Sequence, residues 1–195
     1  MGWLALPVML EAPRRGRYTF AMAQRPAISA SDVTLSLAQP GDLDAIIAIE
    51  EQAFPTPWSR TALSAYIGED GFMVCQFQER LVGYVLVGLQ IPTLLDRLER
   101  FTSSFFCNER PAQSVGHVMN IAVHSGFRSY GLGRYLLEMG LAYLKGLGAT
   151  RVELEVRINN PHALKLYESE GFCIIDTLNG YYQNGDDAFL MSKSF

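Results

Sequence analysis

Cysteine is scarce in this chain of 195 residues: Cys75, Cys107 and Cys173 stand apart, with no C-x-x-C pair and an odd total. That usage speaks for a reducing compartment, and the cytoplasm is expected. Histidine is equally sparse. His117, His124 and His162 show no ligand spacing, so no metal site is expected. The apolar run at 3–10 is too short to span a bilayer, has no basic segment ahead of it and is followed by Arg14, Arg15 and Arg17, which argues against a signal peptide. No membrane partner is expected. A net charge of −4 with no basic run in the folded part makes nucleic acid a poor partner. Internal repeats and low-complexity tracts are absent as well.

What is present suits one α/β domain. With 49% apolar and 18% charged residues, a chain of this length can bury a sizeable core. Residues 1–30 read as a disordered leader, with Met22 an alternative start, and 31–195 as a single domain. Within it, 33–38 reads as a strand and Pro40-Gly41-Asp42 as a turn. Leu43, Ile46, Ile47 and Ile49 then mark a helix ending near Ala53. Phe54-Pro55-Thr56-Pro57-Trp58-Ser59 breaks it, and Ser59 caps a second helix reaching Ile67. Residues 72–77 and 81–87 form a hairpin about Glu79 and Arg80. A long connection at 91–115 carries a short amphipathic helix over 94–101.

The second half holds the chemistry. Met119-Asn120-Ile121-Ala122-Val123 reads as a buried strand, and Arg128-Ser129-Tyr130-Gly131-Leu132-Gly133-Arg134 links it to a helix periodic from Leu132 to Leu147 and stopped by Gly148. A glycine turn opening a helix leaves backbone N–H groups unpaired, where the helix dipole also favours a phosphate. The loop is not a Walker A, because Gly133 is followed by Arg134 and Tyr135. Nor is it a dinucleotide fingerprint, because Leu136 stands where a third glycine belongs. A tight helix-start turn with solvated arginines is the plain structural alternative.

Downstream, 151–157 alternates so that Val152, Leu154 and Val156 share one face and Glu153, Glu155 and Arg157 the other. Asn160 caps a helix beginning at Pro161 and closed by Gly171. Strands near 172–177 and 188–192 follow, joined by a polar and aromatic loop that carries Tyr181 and Tyr182.

These motifs in this order resemble the GCN5-related N-acetyltransferases. The resemblance rests on Asn120-Ile121-Ala122-Val123, Arg128-x-x-Gly131-Leu132-Gly133, Leu154-Glu155-Val156-Arg157, Asn160, Ala163, Leu166-Tyr167-Glu168-x-x-Gly171-Phe172 and Tyr181-Tyr182. It covers about residues 34–195 and is similar in particular to the ribosomal-protein alanine N-acetyltransferase (RimI-type) branch and to N-terminal protein acetyltransferases. The implied fold is a mixed, mostly antiparallel sheet of about seven strands flanked by about four helices. The implied co-substrate is acetyl-coenzyme A without a metal, and the implied acceptor is a protein N-terminus, with ribosomal protein S18 and its N-terminal alanine as the leading candidate.

The resemblance also assigns roles. Ile121, Ala122, Val123, Arg128, Ser129, Tyr130, Gly131, Leu132, Gly133, Arg134 and Asn160 would bind the cofactor, a main-chain N–H near Val123 polarising the thioester carbonyl. Glu155 would be the general base and Tyr167 the general acid, with Glu153 as the substitute base. Phe54, Trp58, Tyr181 and Tyr182 would face the acceptor. Each has a structural alternative: a surface ion pair for Glu155, core packing for Tyr167, helix capping for Asn160, and ordinary loop aromatics for the rest. A free α-amine titrates at about 7.7–8.0 against about 10.4 for lysine, so a modest base suffices for it. Acetylation of a lysine or a small amine, or a non-catalytic acyl-CoA module, are the rival functions. The absence of an activating motif beside any cysteine argues for direct transfer without an acetyl-cysteine.

Overall fold

The computed structural model describes residues 32–90 and 114–195. The leader expected at 1–30, the helix expected at 94–101 and Cys107 lie outside the described residues. In chain order the elements are β1 (Val33–Leu37), a 3-10 turn (Pro40–Asp42), α1 (Leu43–Ala53), α2 (Arg60–Ser64), β2 (Phe72–Phe77) and β3 (Arg80–Leu89). There follow β4 (Val115–Val123), a 3-10 turn (Ser125–Phe127), α3 (Leu132–Gly146), β5 (Arg151–Arg157), α4 (Pro161–Ser169), β6 (Cys173–Leu178) and β7 (Ala188–Ser194).

All seven strands join one sheet in the order β1-β2-β3-β4-β5-β7-β6, and every neighbour pair is antiparallel except β4 with β5. Two apolar layers cover it. On one face Leu136, Leu137, Leu141 and Leu144 of α3 pack on Val85, Val87, Val152 and Leu154. On the other, Ile46 and Ile49 of α1 and Leu63 of α2 pack on Phe72, Val74, Tyr84 and Leu86. Because β3 feeds both layers it reads as an almost continuous apolar run, as a strand buried on two faces must. Gly140 lets α3 approach closely, since a Cβ there would sit 2.9 Å from a Val87 methyl.

Several boundaries differ from expectation. The second helix stops at Ser64 rather than Ile67, although Ser59 caps it as expected, accepting from the Ala62 N–H at 3.2 Å. The β2–β3 turn is made by Gln78 and Glu79, both at positive φ, a two-residue turn without the glycine or asparagine that would announce it. The fourth strand starts at Val115, four residues ahead of Met119 and at the end of the expected insertion.

Candidate active site

The site begins where β4 and β5 stop pairing. Only Val115, Gly116 and His117 of β4 are in register with Arg151, Val152 and Glu153 of β5, and beyond them the strands part. Met119 is an extra residue in β4 opposite the Leu86–Val87 step, a bulge that bends the strand at this point. The gap opens into a cleft of about 910 Å³ lined by residues 118–123, by Arg128, Ser129, Gly131, Gly133 and Arg134, by 155–157, and by Asn160, Leu166, Tyr167 and Tyr182. Residues 53–56 and Trp58 close its other side.

One end of the cleft presents main-chain donors. Gly131 caps α3 at φ +82° with no side-chain bond, and the first intrahelical bond runs from Tyr135 N–H to the Gly131 carbonyl. The N–H groups of Leu132, Gly133 and Arg134 therefore have no partner within the helix. A Cβ on Gly131 would meet nothing within 4 Å, so the opening above the turn is clear. The arginine side chains act as struts. Arg128 Nε donates to the Val123 carbonyl at 3.3 Å, while Arg134 pairs with Glu170 and donates to Ser169 Oγ at 2.8 Å. Tyr130 packs against the α3-side core rather than lining the cleft. Since His124 N–H donates to the Val82 carbonyl of β3, strand alternation turns the N–H of Val123 the opposite way, toward the gap.

Glu155 and Tyr167 line this same cleft. Glu155 sits 2.7 Å from His117 Nε2, an imidazole on the strand across the gap. The Tyr181 phenol stands near Glu155, and burial, with the carboxylate's charge second, pushes it up to about 12. Glu153 is held by Arg151 at 3.0 Å instead. Tyr167 is buried, its ring edge-on to Phe172 at 5.9 Å, and burial raises its hydroxyl well above the ordinary phenol range, with Tyr182 adding to the shift. Asn160 does cap α4, Oδ1 accepting from the Ala163 N–H at 3.2 Å, and also lines the cleft. Both of its expected roles are thus open to one residue.

The remaining wall is aromatic. Phe54, Trp58 and Tyr182 line the cleft, and Tyr181, half exposed, stands outside its lining but near Glu155. Tyr181 and Tyr182 meet edge to face at 5.1 Å. Four site residues escaped sequence reasoning as functional groups: His117, Glu50, Asn120 and Arg157. The buried Glu50 carboxylate accepts from Trp58 N–H at 2.8 Å, from Asn120 Nδ2 at 3.2 Å on each of its two oxygens, and from the Tyr84 hydroxyl. A signal existed for it. Glu50 falls on the Ile46–Ile49 stripe of α1, where a carboxylate must be paired to be buried.

A parallel pair that splays beside a helix start with free N–H groups, with a carboxylate and a phenol lining one gap, can hold an anion beside an acid–base pair. Residues 43–172 match the acetyltransferase (GNAT) family. The chain belongs to that family and is an acyltransferase. It is 30% identical over 173 residues to an N-alpha-acetyltransferase of Saccharolobus solfataricus, covering 83% of this chain and 93% of that protein. It is 32% identical over 162 residues to the [ribosomal protein bS18]-alanine N-acetyltransferase of Salmonella typhimurium, covering 82% and 95%. The crystal structure of the ribosomal-protein-S18-alanine N-acetyltransferase from Escherichia coli superposes with a TM-score of 0.63 at 28% identity, covering 83% of this chain and 93% of that one.

Proposed function

We propose that this chain, through one domain over 31–195, transfers acetyl from acetyl-coenzyme A to the N-terminal α-amine of a protein by direct attack in a ternary complex. The observation that carries the reading is the shared cleft: Glu155 and Tyr167 face one gap, and the uncapped start of α3 lies at its end. Relatives named for N-terminal acetylation support it over most of their length. The residues fit the co-substrate, because unpaired N–H groups at a helix start and an open turn at Gly131 suit a pyrophosphate. Bound acetyl-coenzyme A supplies the thioester.

Glu155, steadied by His117 and Tyr181, takes the proton from the attacking amine. The Val123 N–H donates to the carbonyl oxygen as charge develops there. As nitrogen bonds to the acyl carbon and the carbon–sulfur bond breaks, Tyr167 gives its proton to the departing thiolate. A phenol, titrating at about 10 even when free, keeps its proton at neutral pH until that step. Ile121 and Asn160 would hold the pantetheine arm, and Phe54, Trp58, Tyr181 and Tyr182 the first residues of the acceptor.

The N-terminal alanine of ribosomal protein S18 is the leading acceptor, supported by the bS18-directed relative, and the cytoplasm is the proposed compartment. None of the described helices is long and apolar enough to cross a membrane. Coenzyme A release with a peptide bearing the S18 N-terminus, free or blocked, tests the assignment. Turnover of only the free form supports it. Equal turnover through a lysine of the blocked peptide moves the activity to side-chain amines, and no release with any amine overturns catalysis.

A further inference from the structure

Arg157 is an expensive residue to place where it is. Strand alternation puts it on the Glu155 face of β5, two residues on, and its side chain is 8% exposed. Its guanidinium reaches two segments far apart in sequence. One arm, Nη2, donates to Thr56 Oγ1 at 2.5 Å, in the turn between α1 and α2. The other, Nη1, donates to Asn184 Oδ1 at 3.2 Å and pairs with Asp186, both in the β6–β7 loop. The guanidinium carbon also lies 3.7 Å from the centroid of the Tyr182 ring. Among the described residues, Nε is buried with no hydrogen-bond partner. A network that leaves a charged donor orphaned is not arranged for stability alone, and its geometry fixes position.

We infer that Arg157 is a positioning residue for the acceptor: one buried guanidinium clasps the Phe54–Trp58 turn to the Tyr181–Asp186 loop and thereby sets the width of the amine entrance. The inference rests on the proposed N-terminal acetylation and adds what holds its peptide side in shape. The two walls carry Phe54 and Trp58 on one side and Tyr182 on the other, so their spacing decides how a peptide seats. The phosphate-binding turn at 128–134 makes no use of the clasp. A lysine cannot replace it, because one ammonium lacks the planar fork that reaches both ways.

The test combines kinetics with hydrogen exchange on the full chain. Arg157→Lys should raise KM for a free-amine peptide about tenfold or more, with kcat within about threefold and the coenzyme A dissociation constant within about twofold. Thr56→Val and Asp186→Asn, each removing one arm, should raise acceptor KM in the same direction and be less than additive with Arg157→Lys. In the same variant, amides at 54–59 and at 180–187 should exchange faster together, with 128–134 unchanged. An unaltered acceptor KM overturns the clasp, as does faster exchange in only one segment or a loss spread over the whole sheet. If the wild-type chain turns over no peptide at all, the function proposed above fails, and the exchange arm still decides the clasp.

Discussion

His117 and Glu155 face each other across the opening between β4 and β5, Nε2 to Oε2, at 2.7 Å. His117 is the last residue of β4 in register with β5, opposite Glu153, and Glu155 stands two residues further along the same face of β5, so the contact sits where the two strands begin to part.

From that contact follows the first prediction. Glu155→Gln keeps the shape and loses the base, so kcat should fall on the order of 10²–10⁴-fold. Coenzyme A affinity should hold, because α3 presents its donors at the other end of the cleft. His117→Gln should lower kcat less, since an amide can still hydrogen-bond Glu155 and hold it in place. Steady-state rates across pH 6–9 check both, and an Glu155→Gln enzyme with a wild-type rate removes the carboxylate from the chemistry.

Tyr167→Phe separates packing from proton donation. The ring packs edge-on to Phe172 and belongs to the α3-side core, and phenylalanine preserves that contact. Stability should change by no more than about 1 kcal/mol, the usual net worth of one hydroxyl's bonding. Turnover should drop on the order of 10²-fold or more if the hydroxyl protonates the thiolate. Thermal melts beside kcat report the two effects independently.

Much of this was legible because it is local. Asn160 and Pro161 announce α4, alternation in 151–157 separates the Glu155 face from the buried one, and the glycines of 131 and 133 mark the start of α3. What sequence reasoning missed is long-range. His117 is 38 residues from Glu155, Glu50 is 70 from Asn120, and Arg157 is 101 from Thr56. No period or cap relates such pairs, and only the closed sheet brings them within bonding distance. The β2–β3 hairpin was expected, but its turn falls one residue earlier, at Gln78 and Glu79 rather than Glu79 and Arg80, because the register of β2 and β3 imposes positive φ there without the residue types that favour it.

Gly131→Ala tests the helix start with little steric ambiguity. A Cβ there meets open space, so the cost comes from φ +82° itself, about 1–2 kcal/mol for an L-residue. The turn should relax toward negative φ and turn its N–H groups away from the cleft. Calorimetry should then show weaker coenzyme A binding with a modest fall in melting temperature. Unchanged affinity would mean that the turn does not set the donors.

Alkaline titration reads the nearness of Tyr181 to Glu155. Tyr181 is pushed up to about 12 by burial first and Glu155 second, while in the unfolded chain it titrates near the usual value of about 10. The folded state therefore holds the proton more tightly. Its contribution is fully present below about pH 10 and is lost as pH rises toward about 12. Tyr181→Phe should flatten that part of the stability profile, and Glu155→Gln should shift the late tyrosine absorbance step to lower pH. A profile that Tyr181→Phe leaves unaltered would dissociate this phenol from stability.

Glu50 offers the sharpest structural test, because its carboxylate is 1% exposed and engaged by three separate donors. Glu50→Ala would orphan the Trp58 N–H, the Tyr84 hydroxyl and the Asn120 amide at once, and each buried donor left unpaired costs about 1–3 kcal/mol. A total loss of about 3 kcal/mol or more lowers the melting temperature by roughly 6–12 °C in a chain of this size. Glu50→Gln keeps the volume but brings its own N–H₂ against donors, so it should lose part of that stability rather than none. Because the Trp58 bond also anchors the turn beside the cleft, both variants should weaken acceptor binding more than coenzyme A binding. Melting curves paired with the two affinities decide it, and equal weakening of both ligands would place Glu50 in the core alone.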